Sequence, residues 1–536
     1  MATLFSTDKA LSYARKAEKA RDWATAYDLL EGVLRRFPKN RRAKQMLKDM
    51  RPTAVQDILQ QAQLAQKQHQ WSIYENHLSL AFKFAPNLPD VGVALTGARI
   101  RLGDATGAFE AAGDVLTLSP DNAEAKKLKA QALLDMGHVV AARDAYAACL
   151  SGTPEDAEIL VQLGQLARAA GDKDAERDYA EQACALMPEN GEAHWALART
   201  KSYTAEDPHL AEMEALIAGS GVVEKSKTAL HLALFKAYDD CGTPKQAFAH
   251  LQRSNQLMRD GTPFDFKVEM VRLALSKTLI KVPLAAPSGP PKALEGPRPI
   301  FVTGLPRTGT TLTERILAQD PVAKPCGELP VLGHSVSRML QGLIDGTKKS
   351  FTQEDLQDLR QTIFDGFAPY IGDSACFIDK MPLNFRWIGF VAAAIPEARF
   401  IHMNRDPMAV AWSHYQHAFK GTDNGFVFHM EDIARYMVLH RDWMAHWRAV
   451  CPGRILDVDY AALVTDTVAE TKRLADFTGL EWSEAWLSPE KNESHAFTAS
   501  AAQIRKPIYS GSDEAWRKYE TQLEPLVKAL KTVDLI

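Results

Sequence analysis

Residues 300–317 read IFVTGLPRTGTTLTERIL. Ile300, Phe301 and Val302 make a short apolar run of the kind that forms a buried strand. Gly304, Pro306 and Gly309 turn the chain, and Thr310 and Thr311 open an amphipathic helix carrying Leu312, Ile316 and Leu317. Strand, glycine-containing loop and helix N-terminus together make an anion cradle, because backbone N–H groups and the positive helix end face one point. Standing alone, the stretch is equally compatible with an ordinary strand–turn–helix corner, so the rest of the chain has to decide.

The two glycines have four residues between them, the spacing of a nucleotide-binding P-loop. Thr310 and Thr311 stand where such a loop carries Lys and then Ser or Thr, so the lysine that reaches the β- and γ-phosphates is missing. Arg307 lies inside the loop instead. The loop fits a phosphate, yet it lacks a main part for phosphoryl transfer from ATP.

Downstream stretches add charge at the ends of apolar runs. In RFIHMNRDPMAVAWSHY (399–415), Phe400 to Met403 reads as a strand, Arg405 and Asp406 end it, and Pro407 suits a first helical turn. Arg405 and Ser413 lie eight residues apart, and the planar fork of Arg matches phosphate oxygens. In FIDKMPLNF (377–385), Lys380 falls at a strand end, where ligands bind in open α/β sheets. Glu328 in CGELP (326–330) lies just past the first helix of the cradle; a carboxylate whose pKa is raised by desolvation is a suitable base for a hydroxyl. ILDVDYAALV (455–464) reads as a strand ending at Tyr460, and QIRKPIYSGSDEAWRKYE (503–520) bunches Arg505, Lys506, Tyr509 and Ser510 ahead of a last helix. Taken singly, each has a plain reading: a capped arginine, a solvated lysine or glutamate, a surface loop.

Taken in order, PRTGTT, the Arg405/Ser413 pair, K-M-P and C-G-E resemble the sulfotransferases over roughly residues 298 to 530. Arg307, where cytosolic sulfotransferases usually carry Lys, makes the loop similar to the tyrosylprotein sulfotransferase and bacterial Sulfotransfer_3 branch. The resemblance implies a PAPS (3′-phosphoadenosine-5′-phosphosulfate) donor with PAP as product, and no metal. It implies that Arg307, Thr308, Gly309, Thr310 and Thr311 hold the 5′-phosphosulfate and that Arg405 with Ser413 holds the 3′-phosphate. Lys380 then stabilises the leaving phosphate, with Arg307 beside it, and Glu328 takes the acceptor proton. Tyr460 contacts the adenine nucleotide, and Arg505 or Lys506 closes over the 3′-phosphate. His334 is the next candidate base; His402 sits inside the strand pattern and reads as a core residue.

The N-terminal half is built differently. Pro86, Pro120, Pro154 and Pro188 recur every 34 residues, and Gly103, Gly137 and Gly171 keep the same period. This is the tetratricopeptide length: a helix pair with Gly at the inner turn and Pro ending the second helix. Ala108 and Ala142 allow close packing, and Cys149 reads as a packing residue. Pro38 is 48 residues before Pro86, which predicts irregular first repeats or an insertion near Pro52. Residues 230–258 read as one more divergent pair with Gly242 at its turn. PLAAPSGPPKALEGPRP (283–299) reads as a semi-rigid linker.

The expected architecture is therefore an all-α tetratricopeptide solenoid over 1–282, the linker 283–299 and an α/β P-loop-like domain with a parallel sheet over 300–536. Net charge is −4 over 536 residues, so no global basic field points to nucleic acid. No apolar run approaches a membrane span or a signal-peptide core. The six scattered cysteines lack a C-x-x-C pair and suggest reduced thiols and a cytoplasmic setting. No zinc-spaced Cys/His motif is evident. A solenoid offers a concave surface for a protein or peptide, so a polypeptide acceptor, with tyrosine one candidate residue, is the first expectation and a glycan or small-molecule hydroxyl the second. A P-loop kinase and a non-catalytic scaffold are the rival classes; a homodimer is compatible with the sequence, and oligomeric state stays open.

Overall fold

The computed structural model describes residues 6–68, 70–152, 156–219, 221–261, 264–284, 297–344, 346–348, 350–419, 422–491 and 512–536. By internal contacts the chain divides into two compact units, Met1–Leu163 and Gly164–Ile536.

The first unit is a run of antiparallel helix pairs. Asp22, Asn40, Asp104 and Asn122 sit at helix N-caps and each accepts a backbone N–H from the first turn. Gly103 and Gly137 take φ of 77° and 75° at the inner turns, as does Gly171 (84°) in the second unit, which explains the 34-residue glycine period. Ala108 and Ala142 are fully buried between helices. Near Pro52 there is no inserted loop. Pro52 lies inside one helix, Arg41–Lys67, of 27 residues. The interval from Pro38 to Pro86 exceeds the repeat by 14 residues, and this helix exceeds the 13-residue Ala123–Asp135 by the same 14. The broken register is a lengthened first helix.

The second unit carries the rest of the helical array and a five-stranded sheet: β1 (Arg298–Gly304), β2 (Ala323–Gly327), β3 (Cys376–Lys380), β4 (Arg399–Asn404) and β5 (Ile455–Asp459). All pairings are parallel, in the order β2-β3-β1-β4-β5. Helices cover both faces, so the central strands read as unbroken apolar runs. Ile300, Val302, Ile378 and Ile401 face one core. Phe301, Phe377 and Phe400 face the other, where the Phe301 and Phe400 rings stack at 5.4 Å.

That second core also contains Phe235, Phe248, Leu251 and Leu273 of helices Glu224–Asp240, Pro244–Gly261 and Phe266–Leu279. Polar bonds reinforce the join. Asn255 Nδ2 donates to the Tyr415 carbonyl at 2.8 Å, Tyr519 Oη to Asp239 at 2.6 Å, and Arg386 faces Glu269 at 3.1 Å. The compact division thus falls within the helical array. Most of the Pro-rich stretch lies outside the described residues.

Candidate active site

In a parallel sheet every strand ends on the same edge. Here each strand delivers one site residue just past its carboxyl end or at it: Arg307 after β1, Glu328 after β2, Lys380 at the end of β3, Arg405 after β4 and Tyr460 after β5. Strand order reverses around β1, so the loops after β1 and β4 form the crevice in which such sheets bind ligands.

The loop after β1 is wound tightly. Arg307 (φ 71°) and Gly309 (φ 100°) both occupy the left-handed region, turning successive N–H groups toward the start of the helix Thr310–Leu317. A side chain at Gly309 would begin 2.6 Å from Cδ2 of Tyr460, and one at Gly304 would begin 2.6 Å from the Met403 carbonyl oxygen. Thr308, Thr310 and Thr311 are buried around the turn, and Thr308 Oγ1 donates to the Leu305 carbonyl at 2.7 Å. A non-glycine residue at positive φ costs about 1–3 kcal/mol and needs outside support. Arg405 Nη1 supplies it by donating to the Arg307 carbonyl at 2.9 Å, and His414 Nε2 by donating to the Pro306 carbonyl at 2.8 Å. Burial pushes the His414 ring down to about 4, so it is neutral there.

The candidate residues gather in two groups. In the first, Arg307 Nε donates to Ser413 Oγ at 3.0 Å, and the Arg405 guanidinium lies 4.6 Å over the Tyr460 ring. The loop arginine and the expected 3′-phosphate serine therefore touch directly. In the second, Lys380, wholly buried, is ion-paired with Glu328, whose side chain is about one-third exposed. Glu314, on the helix that leaves the loop, lies beside the second group. Its Oε1 accepts the Gly327 N–H at 3.0 Å, and burial raises its pKa while nearby Lys380 opposes the rise. Asp379 is buried beside Lys380 and held well above the usual carboxylate range by burial; Asn384 donates to it at 2.8 Å.

Three residues here escaped the sequence reading. Asp379 was visible as an acid inside an apolar strand, and Glu314 as an acid one turn into the cradle helix. Asp513 lies within the late basic stretch and accepts from Arg405 Nε at 2.6 Å. His334 is exposed on the helix Val331–Ile344, while His402 is buried in β4 between Asp457 (2.7 Å) and His440 (2.9 Å). Arg505 and Lys506, with Tyr509 and Ser510, lie outside the described residues.

The cations of this edge meet the chain's own oxygens: Asp513 on Arg405, Glu328 on Lys380, and the Ser413 hydroxyl on Arg307. Residues 299–484 match the model of the sulfotransferase family. The C-terminal region is a sulfotransferase domain. The sulfotransferase domain and the tetratricopeptide-like array occur together in this one chain. A protein of Aquifex aeolicus (strain VF5), described only as uncharacterized, is 28% identical over 416 residues, 75% of this chain and 54% of that one. At that length the alignment extends beyond residues 300–536 into the helical array. Protein-tyrosine sulfotransferase 1 of Danio rerio is 25% identical over 224 residues, 39% of this chain and 60% of its own length. A solved sulfotransferase domain from the Synechococcus PCC 7002 olefin synthase is 22% identical, covering 43% of this chain and 91% of that chain with a TM-score of 0.31. The chain spans about half to two-thirds of these curated relatives. No helix among the described residues is long and apolar enough to cross a membrane.

Proposed function

We propose that this chain is a PAPS-dependent sulfotransferase acting on a hydroxyl of a polypeptide, with tyrosine as the first acceptor to test. The observation that carries the reading is the set of strand-end residues around one cradle, Arg307, Glu328, Lys380 and Arg405, with two of its cations already covered by carboxylates. The cradle fits such a donor: its tightly wound loop runs into a helix N-terminus, and its cations suit phosphate oxygens.

When bound, PAPS supplies the transferable sulfuryl group. In this proposal Arg307, Thr308, Gly309, Thr310 and Thr311 hold the 5′ end, and Arg405 with Ser413 holds the 3′-phosphate. Tyr460 closes the wall beside Gly309, and Arg505 or Lys506 adds a contact from the late segment. Lys380 offers its charge where negative charge grows on the leaving phosphate, and Glu328 takes the acceptor proton. The reading asks nothing of a metal. The similarity to protein-tyrosine sulfotransferases and the tetratricopeptide-like array support a polypeptide acceptor.

We assign recognition to 1–282 and catalysis to 300–536, with the helices from Gly191 to Leu279 also building the catalytic unit's core. Assays with sulfur-labelled PAPS and tyrosine peptides, glycans and phenols test the reading. Transfer to peptides supports it, transfer only to glycans or phenols replaces the acceptor class, and magnesium-dependent phosphate transfer from ATP in its place overturns it.

A further inference from the structure

Three helices at the start of the second unit bring together side chains that the sulfotransferase chemistry does not use. Cys184 lies in the last turn of Lys173–Leu186, His194 in Gly191–Thr200, and His209 at the start of Pro208–Ala218. Their ligand atoms all fall within 4.8 Å of one another. Nine and fourteen residues separate them in sequence, which is no recognised zinc spacing, so sequence reasoning found no metal cluster.

The two imidazoles are oriented from behind. His194 Nε2 contacts the Pro188 carbonyl at 2.6 Å, and His209 Nδ1 contacts Tyr203 Oη at 2.8 Å. Their inward nitrogens, His194 Nδ1 and His209 Nε2, face each other at 2.8 Å. This is the arrangement of metal-ligating histidines, whose second nitrogen is held by a carbonyl or another oxygen. Asp207 fixes the third ligand's helix: it caps the helix by accepting the His209 N–H at 3.0 Å, and Lys201 anchors it at 2.8 Å. His194 is fully buried and His209 nearly so, while Cys184 is half-buried, leaving a route for an ion and a water. The Cys184 thiol makes no hydrogen bond among the described residues.

We propose that Cys184, His194 and His209 form a binding site for a borderline-soft divalent cation, zinc above all, with water as fourth ligand. Bonds of about 2.3 Å to sulfur and about 2.0–2.1 Å to nitrogen set tetrahedral ligand atoms roughly 3.3–3.6 Å apart. The nitrogens need to separate by about half an ångström and the thiolate to close in by at most roughly 1.3 Å. As the ion enters, the Cys184 thiol gives its proton to solvent, and the proton between the imidazoles moves to His209 Nδ1, where Tyr203 Oη accepts its hydrogen bond. The ion would tie together three consecutive helices beside the Glu224–Asp240 and Pro244–Gly261 pair, which packs into the sulfotransferase core. Its ligands lie on helices that carry none of the strand-end cradle residues, so the site stands or falls independently of the proposed sulfuryl transfer.

The test titrates cobalt(II), then zinc, into the chelator-treated full-length protein. The expected result is one cobalt per chain, tetrahedral visible bands and a thiolate-to-cobalt charge-transfer band, all displaced by zinc. Cys184→Ser should lose the charge-transfer band, and Tyr203→Phe, which frees the outer nitrogen of His209, should weaken zinc binding by roughly tenfold. Absence of stoichiometric cobalt binding by the wild-type protein overturns the site. So does a charge-transfer band that survives in a folded Cys184→Ser protein, because another of the six cysteines would then be the ligand.

Discussion

Replacing Arg405 by Ala removes a guanidinium with three roles. It supports the Arg307 carbonyl at 2.9 Å, it meets Asp513 at 2.6 Å, and it lies over Tyr460. In the proposed complex its fork also faces the 3′-phosphate. A hydrogen bond to a charged group contributes about 1.5–3 kcal/mol, so two of them at the low end are worth about 3 kcal/mol, or roughly a hundredfold in Kd. For 5′-AMP only the loop support is lost, about 1 kcal/mol and therefore about fivefold. The loop support is lost for both ligands, so the preference for PAP over 5′-AMP should fall by about a hundredfold in Arg405→Ala. Asp513→Asn should act in the opposite sense, because it removes the carboxylate that competes for the fork: PAP binding tightens severalfold and 5′-AMP binding barely changes. Isothermal calorimetry of both ligands against the three proteins measures all six affinities. Equal losses for PAP and 5′-AMP in Arg405→Ala, or weaker PAP binding in Asp513→Asn, would refute the assignment of Arg405 to the 3′-phosphate.

Other predictions follow from the same geometry. Glu328→Gln keeps the side chain's shape and removes its basicity, so kcat should drop by about 10²–10⁴ with PAP affinity little changed; near-normal turnover in steady-state assays would pass the role to His334. A protein beginning at residue 297 should aggregate, because Phe248, Leu251 and Leu273 leave the sulfotransferase core, whereas one beginning at 164 should fold and bind PAP; a soluble, PAP-binding protein from 297 would contradict the shared core. Burial lowers His414 to about 4 and His417 to about 3, with the Arg307 charge adding to both. The unfolded rings titrate near 6.5, so between there and the folded values the unfolded state binds more protons, and stability falls as pH falls. Each ring contributes about 1.4 kcal/mol per pH unit. Denaturant melts from pH 7 to 5 should show a shallower slope in His414→Asn than in wild type, and an unchanged slope would mean the ring is not held neutral.

How much was legible in the sequence followed from the range of the interactions. Strand ends are local: an apolar run followed by Gly, Lys or Arg located the cradle, Lys380 and Arg405 without any long-range information. The tetratricopeptide array was legible because its glycine and capping chemistry repeats, and the early break in register was visible, although its cause was a longer helix containing Pro52. Partnerships set by three-dimensional register were hidden. Nothing local to Arg405 announces Asp513, 108 residues away, and nothing local to Cys184 announces His209. The packing of helices 224–279 against the sheet was concealed for a similar reason, since an amphipathic face does not say whether a neighbouring repeat or a second fold will cover it.

A base and a cation that neutralise one another cannot both work at once. Glu328 and Lys380 are each other's partner, and under the proposed chemistry one must face the acceptor while the other faces the donor. An anionic donor that draws the Lys380 ammonium toward itself leaves Glu328 without its counter-ion and ready to accept a proton. An acceptor arriving first meets a carboxylate already engaged. Under the proposed chemistry one ion pair would set the order of events: donor before acceptor, with the base held by Lys380 until the donor binds.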